Sequence, residues 1–208
     1  MLNNKDARRA QLAAMLPLPA CLPDGRHVLV SYMTGCQLTE TYDMIQTCAE
    51  QSDGFGLDEF RNEDEFRNEV GTSDCFAIVG KESGNMLAAF ILTVSRFYRG
   101  SSGAVDPYIL VHPSERRKGI GLFCLQTIVE FSQRLGFDAM YIDTFCNNEA
   151  MKKILDTVGG FTRVGYLPLG GRLMNGMVVG SFIYYRSLLN NCGIGSEWHQ
   201  ITNNNNAD

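Results

Sequence analysis

The stretch Ile109-Leu110-Val111-His112-Pro113-Ser114-Glu115-Arg116-Arg117-Lys118-Gly119-Ile120-Gly121 narrows the choice of fold more than any other part of the chain. A β-rich apolar run stops at Pro113, which cannot donate to a sheet ladder, and a basic turn with two glycines leads into a helical pattern. Such a junction suits a pyrophosphate. Glycines let successive backbone N–H groups converge, and the following helix adds unpaired donors and the positive end of its dipole. Arg116, Arg117 and Lys118 place full charges beside them. A basic turn opening a helix also occurs as plain loop, so the surroundings decide between the two readings.

Those surroundings are regular. From Leu122 to Leu135, Phe123, Thr127, Ile128, Phe131 and Leu135 fall on one side, and Leu122, Leu125 and Val129 widen the apolar surface. Only Gln126, Glu130, Gln133 and Arg134 stay polar, which predicts a mostly buried helix. Gly136 ends it, Ala139 to Phe145 reads as a strand, and Asn147-Asn148-Glu149-Ala150 caps a second helix running to Gly159-Gly160-Phe161.

This order of strand, Arg-x-x-Gly-x-Gly turn, helix, strand, Asn-x-Ala helix and Gly-Phe strand resembles the GNAT superfamily of acetyl-CoA-dependent N-acetyltransferases, from Val105 to Leu188. The resemblance implies an α/β (α+β) fold: a mixed, mostly antiparallel sheet, splayed at the cofactor cleft, with helices on both faces. It implies acetyl-CoA as cosubstrate, with Leu110 and Val111 pairing their backbone with the pantetheine arm. Arg116, Arg117, Lys118, Gly119, Ile120 and Gly121 would cradle the pyrophosphate and Asn148 would fix the pantetheine from the other side. A narrower likeness, in Val164-Gly165-Tyr166-Leu167-Pro168, Gly170-Gly171-Arg172-Leu173 and Phe182 to Leu188, is to fungal acetyltransferases that detoxify proline analogues such as azetidine-2-carboxylate. The spacing after Pro168 differs from theirs and Gly180-Ser181 stands where an acidic residue is expected, so this likeness bears on the subfamily and not on the acceptor.

With 208 residues, nearly half of them apolar, the chain suits one domain with a real core. We divide it into an N-terminal extension (1–26), an acetyltransferase domain (27–188) and a C-terminal tail (189–208). No run approaches the roughly 20 apolar residues of a membrane span, and Pro17, Pro19 and Pro23 interrupt the apolar stretch where a secretory signal would sit. Arg8 and Arg9 within Lys5 to Leu16 fit a transit peptide or a short surface helix, and Asp6 favours the helix. A net charge of −5 argues against a nucleic-acid partner and suits a small cationic or zwitterionic amine. Seven scattered cysteines without a Cys-x-x-Cys pair, and three dispersed histidines, suggest neither a disulfide framework nor a zinc site and fit a reducing, cytoplasmic setting. Homodimerisation stays open.

Along the chain, Val28 to Met33 reads as the first strand and Thr39 to Gln51 as a helix started by Thr39 or Thr41, with Tyr42, Ile45 and Cys48 inward. Asp58-Glu59-Phe60-Arg61-Asn62-Glu63 is repeated at once as Asp64 to Glu69. Six residues advance a helix by about 600°, so Phe60 and Phe66 would not share a face, and the segment reads as a solvated charged helix or two short ones. Its family counterpart flanks the acceptor site. Cys75 to Gly80 and Met86 to Val94 form a hairpin, Arg96 to Gly103 a loop, and the Asn203 to Asn206 end is expected to be disordered.

Acetyl transfer to an amine needs a deprotonated nitrogen, an oxyanion donor and a proton for the leaving thiolate. A bulge in the cofactor strand, as in the family, would aim the Val111 or Leu110 amide at the thioester carbonyl. Asp106 is the best-placed base; its other reading is a turn-former before Pro107. The family's usual acid, a tyrosine after the Asn-x-Ala motif, is replaced by Leu155, leaving Tyr184, with Tyr166 and Tyr185, as substitutes or as plain sheet aromatics. His112, before a proline, reads as a loop residue. Arg96, Arg99 and above all Arg172 are candidates to hold an acceptor carboxylate. The expected activity is N-acetylation of a small, amino-acid-like amine; a lysine or N-terminal protein acetyltransferase and a silent acyl-CoA-binding module are the alternatives.

Overall fold

The computed structural model describes residues 2–95 and 103–189. The loop with Arg96 and Arg99, Cys192 and the Asn-rich end lie outside the described residues. The elements, in order, are α1 (Leu2–Ala13), β1 (Leu18–Cys21), β2 (His27–Tyr32), α2 (Gly35–Glu50), α3 (Glu63–Val70), β3 (Asp74–Gly80), β4 (Met86–Val94) and β5 (Ala104–Val111). A short 3-10 turn (Pro113–Glu115) leads to α4 (Ile120–Leu135), β6 (Ala139–Phe145), α5 (Glu149–Val158), β7 (Thr162–Arg172) and β8 (Val178–Ser187). The eight strands form one sheet in the order β1-β2-β3-β4-β5-β6-β8-β7. All neighbours are antiparallel except β5 and β6, which touch only at Ala104↔Ala139 and Val105↔Met140. Beyond that point the two central strands diverge.

Each face of the sheet has its own core. Leu12 of α1, seven α4 residues from Ile120 to Leu135 and Leu155 of α5 pack on one face with Val28, Phe76, Phe90 and Val105. Phe76 stacks on Phe90 with ring centroids 5.0 Å apart, and Phe131 meets Phe76 edge-on at 5.1 Å. Each such ring contributes about 1.5–3 kcal/mol by leaving water. On the other face, Met44 and Ile45 of α2 and Phe66 and Val70 of α3 pack on Ala77, Ala89, Ile91 and Leu110.

Three boundaries differ from the sequence reading. Helix α2 begins four residues before Thr39, because Thr34 and Gln37 form a capping box: Thr34 Oγ1 accepts from the Gln37 amide and Gln37 Oε1 from the Thr34 amide. Thr39 instead bridges to α3, donating to Glu63 at 2.8 Å. The duplicated hexapeptide makes one helix, since Asn62 at the end of the first copy caps the second, accepting from the Glu65 amide. Phe60, left outside that helix, still reaches Phe66 edge-on at 5.3 Å, so both rings are core and the segment is no merely solvated face. Finally, the N-terminal extension is built into the fold. β1 pairs with β2 from Leu18↔Val30 to Cys21↔His27, and Leu12 and Leu22 are buried in the main core. No helix of the described residues is long and apolar enough to cross a membrane.

Candidate active site

A cleft of about 1000 Å³ opens where β5 and β6 part. Strand alternation tells which backbone groups face it. The His112 amide donates to Leu87 O at 3.0 Å, and β5 pairs with β4 in unbroken register from Ala88↔Val111 to Val94↔Val105. Leu110, Tyr108 and Asp106 therefore spend their backbone groups on β4, while Val111, Ile109 and Pro107 turn theirs toward the gap. The expected bulge does not occur: β5 shows no register shift against β4, and the Leu110 amide belongs to the ladder, although Leu110 lines the cleft and packs its side chain in the α2–α3 core. Val111 and Ile109 are the β5 residues whose amides face the gap. Pro107 is tolerated in a central strand because its nitrogen faces the open side, where no ladder bond is lost.

At the end of β5 the chain turns into α4. Gly119 takes φ +79° as the N-cap and makes no side-chain capping bond, whereas α2, α3 and α5 are capped by Thr34, Asn62 and Asn148. The first-turn amides of α4 are thus left without a capping side chain, as an anion cradle requires. The glycines have a second, structural reason. A Cβ on Gly119 would stand 2.9 Å from two ring carbons of Pro23, and one on Gly121 would stand 2.9 Å from Ile154 Cδ1.

The three basic residues of the turn have separate fates. Arg116 forms an ion pair with Asp53, reaches Cys48 Sγ at 3.0 Å and donates to Val111 O at 3.4 Å, so it ties the turn to the end of α2. Burial pushes the Cys48 thiol up, with the Arg116 guanidinium pulling the other way. Lys118 pairs with Glu115 at 3.1 Å and does not line the cleft. Glu115 is also held by Arg26 at 2.7 Å, a contact that keeps its carboxyl below the usual carboxylate range. Arg117, at φ +63°, lines the cleft together with Gly119, Ile120 and Gly121.

Asn148 also lines the cleft; its Oδ1 accepts from the Met151 amide at 3.0 Å, and its amide nitrogen keeps its donors for a ligand. Leu155 turns into the core, and the cleft face of α5 is made by Ala150, Met151, Lys153, Ile154 and Thr157. Of the two catalytic candidates, Asp106 lines the cleft and lies within β5, so it forms no turn before Pro107. Tyr184 does not line it. It packs against the main core between Ile142 and Arg163, and Tyr185 and Tyr166 pair with Tyr141 and Phe182. Arg172 likewise lies outside the lining, its guanidinium 4.0 Å from Asp58 and its carbonyl accepting from the Leu57 amide. The expected carboxylate clamp is therefore not part of the cleft.

The sequence reading missed Tyr108, Glu59, Glu69 and Asp143, all of which line the cleft. Tyr108 shares a face with Asp106 two residues away, and stands with Phe55 at 6.5 Å and Phe60 at 6.0 Å as an aromatic wall. Its alternation with Asp106 on β5 was available as a signal; the contribution of Glu59 and Glu69 depends on how the repeat folds.

The chain matches the Acetyltransferase (GNAT) family over residues 38–159. It belongs to that family. The activity is therefore acyl transfer to nitrogen, and the cosubstrate is acetyl-CoA, which the uncapped α4 start and the open flank of β5 fit. Solved structures share the fold at low identity. YncA from Salmonella typhimurium, solved with its cofactor acetyl-CoA, is 16% identical with a TM-score of 0.66, over 81% of this chain and 98% of its own. Spermidine N-acetyltransferase from Vibrio cholerae, in complex with CoA and spermine, gives 14% and 0.62 over 78% and 98%. Ribosomal-protein-S18-alanine N-acetyltransferase from Escherichia coli gives 17% and 0.61 over 82% and 97%. No curated protein matches the chain.

Proposed function

We propose that this acetyltransferase acts on the free amine of a small metabolite. The observation that carries the reading is the composition of the acceptor end of the cleft, where Asp106, Glu59, Glu69 and Asp143 accompany the wall of Tyr108 and Phe55. Carboxylates favour a protonated amine on arrival, and an apolar wall orients its carbon skeleton. Acetyl-CoA supplies the thioester. The chain's part is to hold it along the open flank of β5, with the Val111 and Ile109 N–H groups aimed into the gap as donors for a developing oxyanion. Asp106 takes the proton from the attacking nitrogen, directly or through a water. The C–N bond forms, the C–S bond breaks, and the departing thiolate, with a reference pKa of about 8.5, leaves without an obligatory acid.

The test is a panel of amines, amino acids and peptides assayed for CoA release with acetyl-CoA. Turnover of small amines, with or without a carboxylate, supports the reading; robust acetylation of peptides alone overturns it. The same panel examines Arg172. With its guanidinium at Asp58 and outside the cleft, Arg172→Ala is expected to change KM for amino acids and plain amines by the same small factor, about 2-fold or less. A selective rise for amino acids would restore Arg172 as a carboxylate clamp.

A further inference from the structure

Two lysines stand side by side on α5, and only one is spoken for. Lys152 pairs with Glu149 at 2.5 Å and donates to Cys146 O at 3.0 Å. Lys153 lines the cleft, is exposed, and has no ion-pair partner among the described residues. Its neighbour Ile154 closes directly on the first turn of α4, where a Cβ on Gly121 would meet Ile154 Cδ1 at 2.9 Å. An unpaired ammonium thus stands on the wall next to the anion cradle, but on a different element from it.

We propose that Lys153 recognises the 3′-phosphate of coenzyme A and makes the enzyme prefer acetyl-CoA to its 3′-dephospho form. The cofactor carries two separate anionic groups. The pyrophosphate is matched by the uncapped amides of α4 and by Arg117, both within the turn itself. Arg116 is held by Asp53 and Lys118 by Glu115, and Lys118 does not face the cleft. A phosphomonoester carries about −1.5 to −2 at neutral pH, and a lysine ammonium on its flexible stem binds such a terminal group as a point charge. Among the described residues, Lys153 is the cleft cation left for it. The inference rests on acetyl-CoA as cosubstrate and not on the identity of the acceptor.

Calorimetric titration of the wild type, Lys153→Ala and Lys153→Arg with CoA and with 3′-dephospho-CoA tests it without any turnover. The wild type is expected to bind CoA about 10-fold more tightly than dephospho-CoA, as one charge-assisted contact allows. Lys153→Ala should cut that preference to about 2-fold by weakening CoA alone, Lys153→Arg should keep most of it, and salt should shrink it in the wild type. Unchanged dephospho-CoA affinity in Lys153→Ala doubles as the check on folding. A wild type without preference, or a variant that weakens both ligands equally, overturns the assignment. Failure of the wild type to bind either ligand would instead sink the cofactor site itself.

Discussion

Gly119→Ala is expected to lower both thermal stability and cofactor affinity, and to do so far more than Gly121→Ala. At φ +79° an L side chain is strained by about 1–2 kcal/mol, and the new Cβ meets two carbons of the stiff Pro23 ring at 2.9 Å. Overpacking of that kind adds about 1–3 kcal/mol. Gly121 has ordinary backbone angles, and its Cβ would press on the far end of the flexible Ile154 side chain, which can rotate away. For a chain of this size 1 kcal/mol moves Tm by about 2–4 °C, so Gly119→Ala should lose about 4–20 °C. Its CoA affinity should fall about 10-fold or more as the α4 amides shift. Gly119→Asn, which tolerates the left-handed region better, should regain part of the loss but not all, because the clash remains. Thermal unfolding and CoA titration of the three variants measure this. Wild-type values of both for Gly119→Ala would mean that the turn is adaptable and the packing on Pro23 unimportant.

That contact also explains what could and could not be read from the sequence. The turn, α4, β6 and α5 were legible because each has a local cause: a proline that stops a strand, a one-sided apolar helix, an asparagine that caps. Pro23 and Arg26 were not. They reach the turn only because β1 folds back on β2, which brings Pro23 onto Gly119 and Arg26 onto Glu115 across some ninety residues of sequence. The same limit applied to the acceptor side. That Phe60 and Phe66 meet depends on one copy of the repeat being left as loop, and a helical wheel drawn through both copies sends them apart. Arg172 shows the same limit: it ends an edge strand with two register shifts, outside the cleft lining and 4.0 Å from Asp58, a placement that no local pattern states.

Asp106→Asn is expected to reduce turnover by about 10- to 1000-fold while leaving CoA affinity within about 2-fold of wild type. The two effects separate because of where Asp106 lies. It is five residues from Val111 along β5, about 17 Å at strand spacing, so it lines the far end of the cleft from the phosphate turn. Its carbonyl accepts from Thr93 across the ladder, which fixes the backbone whatever the side chain carries, and asparagine keeps the shape. A loss of turnover with intact binding therefore reports proton transfer and not collapse of the strand. Glu59→Gln and Glu69→Gln provide the comparison, since both carboxylates line the same cleft from the repeat segment and would share the work if Asp106 were only one of several bases. If Asp106 is the base, its variant alone changes the acid side of the pH–rate profile, and the glutamine variants raise KM for the amine with kcat nearly kept. If the Asp106→Asn and wild-type profiles superimpose, the carboxylate serves the architecture of β5, and deprotonation must fall to Glu59, Glu69 or solvent.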